Sequence, residues 1–437
     1  MYRTQIEHLY AWKEKEGRKP LIIQGARQVG KTWLMKEFGK EAFTSSVYVN
    51  FDSNDQMKRL FSSDITNIPR IISGLELYFG KKIDKDTLII FDEIQEVPEA
   101  LSSLKYFAEN APEYAVISAG SLLGMALHQG TSFPVGKVEF MKLEPLTYKE
   151  FLSATGRARY AQLLESMDWN MVTSFNQTYI GALREYYYVG GMPEAVSAFS
   201  KNADYPSVRT IQKNILLSYE QDFSKHAPVG IVPRLRQAWN SIPSQLAKEN
   251  QKFIYGLIRE GARAKEYEKA IMWLTDCSLA IRLGRVGSGE LPLKAYEDIK
   301  SFKLFLCDIG LLCCMVNLDA RTLLDGNALF SMFKGALTEQ YVCQQLQAIP
   351  YAGVYYYTND RSSCEVDFVL DLGSSIVPLE VKAETNLKAK SLKTYQDKYN
   401  IPLAVRSSMT DYKKEERIIN LPLYAIGEIV KTCTDQK

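Results

Sequence analysis

Eight residues near the amino end constrain the fold more than anything else in the chain. They are Gly25, Ala26, Arg27, Gln28, Val29, Gly30, Lys31 and Thr32, and they match G-x-x-x-x-G-K-[ST]. The apolar run Pro20-Leu-Ile-Ile-Gln24 precedes them, and a helical pattern from Trp33 to Phe38 follows. A strand, a glycine-bent loop and a helix start in this order aim backbone N–H groups and the positive end of a helix at one spot. That arrangement suits a chain of phosphates. Residues Gly25 through Trp33 are therefore the expected cradle for ATP. Lys31 would bring a point charge to the β- and γ-phosphates, and the Thr32 hydroxyl would ligate Mg²⁺. Arg27 either steers nucleotide or stays solvated.

The surrounding pattern predicts where the rest of that site lies. Apolar runs recur at Val47-Tyr-Val-Asn-Phe51, Thr87-Leu-Ile-Ile-Phe91 and Tyr114-Ala-Val-Ile-Ser118, with helical periodicity between them. Such alternation predicts a parallel sheet covered by helices on both faces. The run from Thr87 ends in Asp92 and Glu93, and the carboxyl ends of parallel strands open onto the ligand crevice. Asp92 is then expected to organise Mg²⁺, and Glu93 to polarise the attacking water. The next strand runs into Ala119, Gly120 and Ser121. Ser121 is a candidate contact to the γ-phosphate or the water, against an ordinary turn serine. Lys137, in Ser132-Phe-Pro-Val-Gly136-Lys137, is a candidate to reach a phosphate within the chain or across a subunit interface, against a plain surface lysine.

The chain has 437 residues, which at roughly 150 per domain predicts two to four domains. The expected architecture is α/β: a P-loop parallel-sheet ATPase domain over 1–155, a helical region over 156–240, a winged-helix-like region over 241–300, and an α/β domain of the PD-(D/E)xK type over 301–437. Lys and Arg number 53 against 51 Asp and Glu, so net charge selects no partner, and any nucleic-acid contact needs a local basic face. The seven cysteines are odd in number and form no C-x-x-C pair. Met1 to Pro20 has no apolar segment, so reduced thiols in a cytoplasmic protein are expected. Leu304 to Val316 is interrupted by Asp308 and too short to span a bilayer, so no membrane contact is expected.

A second constellation lies near the carboxyl end. Glu339 falls in a helical stretch, Gly335 to Gln347. Asp367 sits in Cys364-Glu-Val-Asp-Phe-Val-Leu370, and Glu380 and Lys382 share one face of Ile376 to Ala383. A hairpin would gather Asp367, Glu380 and Lys382. Two carboxylates can hold Mg²⁺, and a lysine can activate water or steady the developing charge of phosphodiester cleavage. The plain alternative is two amphipathic strands with solvated charges. Residues 248–289 carry Lys248, Lys252, Arg259, Arg263, Lys265 and Lys269 against Glu249, Glu260, Glu266 and Glu268. With the glycine-rich turn expected at Leu283 to Gly289, they suggest a winged helix, so DNA is a candidate partner there and at the carboxyl-terminal domain. A scaffold with an ordinary wet face is the rival.

Taken together, these motifs resemble a prokaryotic family that joins an AAA-like P-loop ATPase to a carboxyl-terminal domain of unknown function with a restriction-endonuclease-like fold. The resemblance is carried by Gly25 to Thr32, Phe91-Asp-Glu-Ile-Gln95, Ala119-Gly-Ser-Leu-Leu123, Ser132 to Lys137 and Pro145-Leu-Thr-Tyr148. Downstream it rests on Val189-Gly-Gly-Met-Pro-Glu194, Phe302-Lys303, Asp308-Ile-Gly-Leu311, Glu365-Val-Asp-Phe368 and Glu380-Val-Lys382. It implies ATP binding and a winged helix between the two ends. Where many members of that family place Gly-Arg, this chain has Gly136-Lys137, and Lys suits a forked phosphate contact less well than Arg. The expected function is a Mg²⁺-dependent ATPase acting as a conformational switch, with oligomer formation open. The rivals are a DNA-processing nuclease controlled by ATP, and a signalling or assembly scaffold with an inactive nuclease-like domain.

Overall fold

A computed structural model describes residues 1–120, 134–248, 251–324, 331–350, 352–359, 364–383 and 390–434. The chain divides into two compact units, one holding Arg3–Glu144 with Asp276–Ser278, the other holding Pro145–Thr275, Leu279–Lys437 and Met1–Tyr2.

In the first unit the apolar runs become strands β1 (Leu21–Gln24), β2 (Ser45–Asn50), β3 (Thr87–Asp92), β4 (Ala115–Ala119) and β5 (Glu139–Lys142). All pair in parallel, in the order β2-β3-β4-β1-β5. Among the described residues, helices α1 (Gln5–Glu14), α2 (Lys31–Ala42), α3 (Asp55–Phe61), α4 (Ile68–Phe79) and α5 (Pro98–Asn110) accompany the sheet. Local chemistry sets their limits. Asn67 caps α4 by accepting from the Arg70 N–H, and Gly80, at φ 65°, ends it. Every residue of β3 is buried, as expected of a central strand covered on both faces. Phe51, Phe61 and Phe91 meet at ring distances of 5.3 to 5.5 Å in that core. Because β4 lies between β1 and β3, the loop after β1 and the carboxylates after β3 are set two strand spacings apart, roughly 10 Å.

The second unit has a helical middle and a mixed eight-stranded sheet. Its strands are β6 (Ala280–Val286), β7 (Glu297–Leu306), β8 (Gly353–Thr358), β9 (Glu365–Asp371), β10 (Ile376–Val381), β11 (Ala404–Ser408), β12 (Lys413–Lys414) and β13 (Ile418–Pro422). They follow the order β12-β13-β11-β10-β9-β8-β6-β7. The turn expected from Leu283 is corrected here, since Leu283 to Val286 are strand. Gly284 is small because the Glu297 carboxylate packs on it, where a Cβ would come within 2.3 Å of Oε1. The register also shifts between Gly284 and Arg285. A glycine inside a strand can mark close approach as well as a turn.

Two motifs far apart in sequence meet in this unit. Buried Asp308 accepts from the Gly191 N–H (2.6 Å), the Leu311 N–H (3.0 Å) and Gln344 Nε2 (3.0 Å). It caps the helix Ile309–Met315 while gripping the Gly190-Gly191 bend. Gly190, at φ 72°, leaves no room for a Cβ, which would stand 2.2 Å from Asp308 Oδ1. Asp308→Ala orphans three buried donors and a helix start. It should destabilise this unit by about 3 kcal/mol or more. Urea unfolding would measure it, and a loss under about 0.5 kcal/mol would show that the knot holds little.

Candidate functional site

The nucleotide loop is built as its residues predict. Gly25 takes φ 145° and Gly30 takes φ 96°, and α2 begins at Lys31 with Gly30 as its cap. The opened helix end leaves its first N–H groups for an anion. Lys31 is buried, and its Nζ donates to the carbonyls of Gly25 and Ala26, each at 2.8 Å. Burial lowers its pKa to about 8, while Glu93 and Asp92 pull it back up. Val29 is buried in the core side of the loop, whereas Arg27, Gln28 and Trp33 are exposed.

The expected carboxylates face this loop. Thr32 Oγ1 donates to Asp92 Oδ2 at 2.6 Å, and the Tyr48 hydroxyl donates to the same oxygen at 2.9 Å. Burial, followed by Asp92, raises the Tyr48 hydroxyl far above its ordinary pKa, so it stays a donor. Glu93 takes the left-handed conformation (φ 50°, ψ 43°), unusual for a side chain of its size. Its Oε2 accepts from Gln95 Nε2 at 2.6 Å. The donor set fits Mg²⁺ and a triphosphate: a hydroxyl and a carboxylate for a hard cation, an ammonium and helix N–H groups for phosphate oxygens.

Three residues of this site escaped sequence reasoning. Arg3, 3% exposed, donates from Nη1 to the Val29 carbonyl at 2.9 Å and from Nη2 to the Glu144 carbonyl, stapling the loop to the segment after β5. Tyr48 and Gln95 hold the two carboxylates. Tyr48 left a faint signal, as a polar tip on a strand that pairs with β3. Ser121 lies outside the described residues. The in-chain role expected for Lys137 is corrected. It precedes β5, which starts beside Leu21, the first residue of β1, and so lies at the edge of the sheet opposite the loop. There its Nζ pairs with Glu109 at 3.0 Å.

The carboxyl-terminal constellation also assembles. β9 and β10 pair antiparallel with Phe368 opposite Leu379, which brings Asp367 alongside Glu380. Asp367 Oδ2 accepts from the Val381 N–H at 2.7 Å, and Lys382 Nζ pairs with Glu380 Oε1 at 2.7 Å. Glu339, on the helix Ser331–Gln347, joins them through an unanticipated residue, Lys303 of β7. Lys303 Nζ stands 3.2 Å from Glu339 Oε2 and 3.3 Å from Glu365 Oε1. Burial disfavours this ammonium, but Glu339, Asp367 and Glu365 outweigh it and raise its pKa. Burial lifts the Glu339 carboxyl to about 7 against the pull of Lys303. The sequence signal was a lone lysine inside Phe302-Lys-Leu-Phe-Leu306, since a buried charge needs partners. Among the described residues, no group of three or more His, Cys, Asp or Glu is placed to hold a metal ion.

In the expected winged-helix region, the helix Ala264–Asp276 follows exposed Arg263, with Lys265 and Lys269 also exposed. Exposed Glu260 and Glu268 lie among them, and Arg259 pairs with Glu266 at 3.2 Å. The face is therefore of mixed sign. No helix among the described residues is long and apolar enough to cross a membrane.

The loop, the parallel sheet and the paired Thr32 and Asp92 define a P-loop nucleotide-binding domain. Comparison with known proteins agrees: residues 17–152 match a family described as an AAA domain. Residues 180–322 and 334–426 match two families described as domains of unknown function, DUF8612 and DUF4143. The chain thus carries an AAA-type P-loop domain followed by two domains of unknown function, and the AAA domain implies nucleotide binding and suggests ATPase activity. Uncharacterized proteins of Mycobacterium tuberculosis and Mycobacterium bovis are each 22% identical over 377 residues, covering 84% of this chain and 70% of theirs. Among solved structures, a Walker-type ATPase of Pyrococcus abyssi is similar at 14% identity and a TM-score of 0.45, over 71% of this chain and 94% of that one. The ORC2 protein of Aeropyrum pernix is similar at 13% identity and a TM-score of 0.35, over 79% and 96%.

Proposed function

We propose that the amino-terminal unit binds ATP with Mg²⁺ and hydrolyses it, and that the cycle acts as a conformational switch for the rest of the chain. The observation that carries this reading is the 2.6 Å hydrogen bond from Thr32 to Asp92, with Glu93 next in sequence. As a donor to Asp92, Thr32 keeps its oxygen lone pairs for a cation. Bound Mg²⁺ would neutralise charge on the phosphates. Glu93, held by Gln95, accepts a proton from water. Lys31 leaves the Gly25 and Ala26 carbonyls to meet a phosphate oxygen, and that exchange of partners gives the loop two states.

The pKa of Lys31 supplies the test. In the free protein the lysine is lowered from 10.5 to about 8. At pH 8 it is half protonated, and a bound polyanion favours the charged form. Binding of ATP should therefore take up about half a proton at pH 8, falling to about a tenth at pH 7. Titration calorimetry in two buffers of different ionisation enthalpy reads this uptake directly. No heat of binding would sink the proposal. Equal uptake in Lys31→Ala would reassign the proton and remove Lys31 from its role.

A further inference from the structure

The charges around Glu339 are arranged differently from those of an open metal site. Four carboxylates, Glu339, Glu365, Asp367 and Glu380, surround two ammonium groups, Lys303 and Lys382. Lys382 is partly exposed, but the Lys303 side chain is only 1% exposed and lies on the floor of the cluster between Glu339 and Glu365. A divalent ion needs several oxygens converging at roughly 2.0 to 2.6 Å from one point. An ammonium that contacts two of those acids from within fills the point itself.

We infer that Lys303 is the resident cation of the carboxyl-terminal cluster, and that it keeps divalent ions out of the native chain. Its backbone cannot easily carry it away. Lys303 lies in β7 between Phe302 and Leu304, both buried, and Phe302 stacks on Phe253 with ring centroids 5.1 Å apart. The acids are held in turn by protein donors. Glu339 Oε1 accepts from Gln251 Nε2 at 2.9 Å while its Oε2 faces Lys303. Asp367 Oδ2 is taken by the Val381 N–H, and Glu380 Oε1 by Lys382. Glu380 Oε2 is buried and lacks a hydrogen-bond partner among the described residues. Removing the ammonium would leave Glu339 and Glu365 without the cation they share, beside Asp367 and the unpartnered Glu380 oxygen, and a small divalent ion could then enter.

Mn²⁺ titrated into the nucleotide-free full chain, with free Mn²⁺ followed by electron paramagnetic resonance, tests this. The native chain and Glu380→Gln should bind Mn²⁺ alike, because the cluster contributes nothing. Lys303→Met should gain one Mn²⁺ equivalent at least tenfold tighter than any native site, and Lys303→Met with Glu380→Gln should lose it again. The inference is overturned if native Mn²⁺ binding drops in Glu380→Gln, or if folded Lys303→Met gains nothing. Should Lys303→Met fail to fold, the comparison of native chain with Glu380→Gln still decides: equal binding supports the resident lysine, and a loss refutes it.

Discussion

Glu93→Gln should leave ATP binding within about threefold of native and cut hydrolysis by a factor of about 10² to 10³, or roughly 3 to 4 kcal/mol of barrier. The substitution keeps size and hydrogen-bonding reach but removes the charge that draws a proton from water. In the cradle Lys31 donates to the Gly25 and Ala26 carbonyls and Thr32 to Asp92, contacts that do not run through Glu93, so the change removes one of the two acids that raise the Lys31 pKa and leaves Asp92 in place. The left-handed backbone at Glu93 tolerates Gln as well as it tolerates Glu. Single-turnover phosphate release alongside nucleotide binding separates the two effects. Native-like release would show that another group activates the water. Lost binding would show that Glu93 holds the site together and that its hydrolytic role is misassigned.

How much of this site could be read from the chain depends on how local each interaction is. Strands β1 to β4, the loop and the two terminal carboxylates all fall where apolar period and glycine spacing predict, because each is set by residues within a few positions. Arg3 could not be found that way. Its partners, the carbonyls of Val29 and Glu144, lie 26 and 141 residues on, and a backbone carbonyl carries no sequence mark. Nor could the in-chain reach of Lys137 be decided against a plain surface lysine from local pattern alone. It precedes a strand, and in a parallel sheet whatever precedes a strand lies at the edge away from the crevice. Once Glu139–Lys142 is seen to pair with β1, its distance from the loop follows. The carboxyl-terminal cluster was legible on its hairpin, where alternation fixes faces. Lys303 belongs to a different strand order, with β8 and β6 lying between β9 and β7, and no periodicity reveals that.

Gly25→Ala should be among the most damaging single changes to nucleotide binding. An added Cβ would stand 2.2 Å from the Leu143 carbonyl oxygen, far inside van der Waals contact, and at φ 145° no L-residue is comfortable. The obstacle is backbone, and it is fixed. The Leu143 N–H donates to the Gln24 carbonyl at 2.8 Å, and the neighbouring Glu144 carbonyl is gripped by Arg3. Arg3 also holds the Val29 carbonyl, so loop and strap cannot part without breaking the staple. The loop must therefore shift, moving the carbonyls that seat Lys31. ATP affinity should fall by about a hundredfold or more, and the unit should lose about 2 kcal/mol of stability. Gly80→Ala separates this steric cause from backbone strain alone. Gly80 also has positive φ, 65°, but nothing lies within 4 Å of its would-be Cβ. It should cost about 1 kcal/mol of stability and leave nucleotide affinity unchanged. If Gly25→Ala bound ATP as the native chain does, the close fit of loop against Leu143 would have no part in holding phosphate.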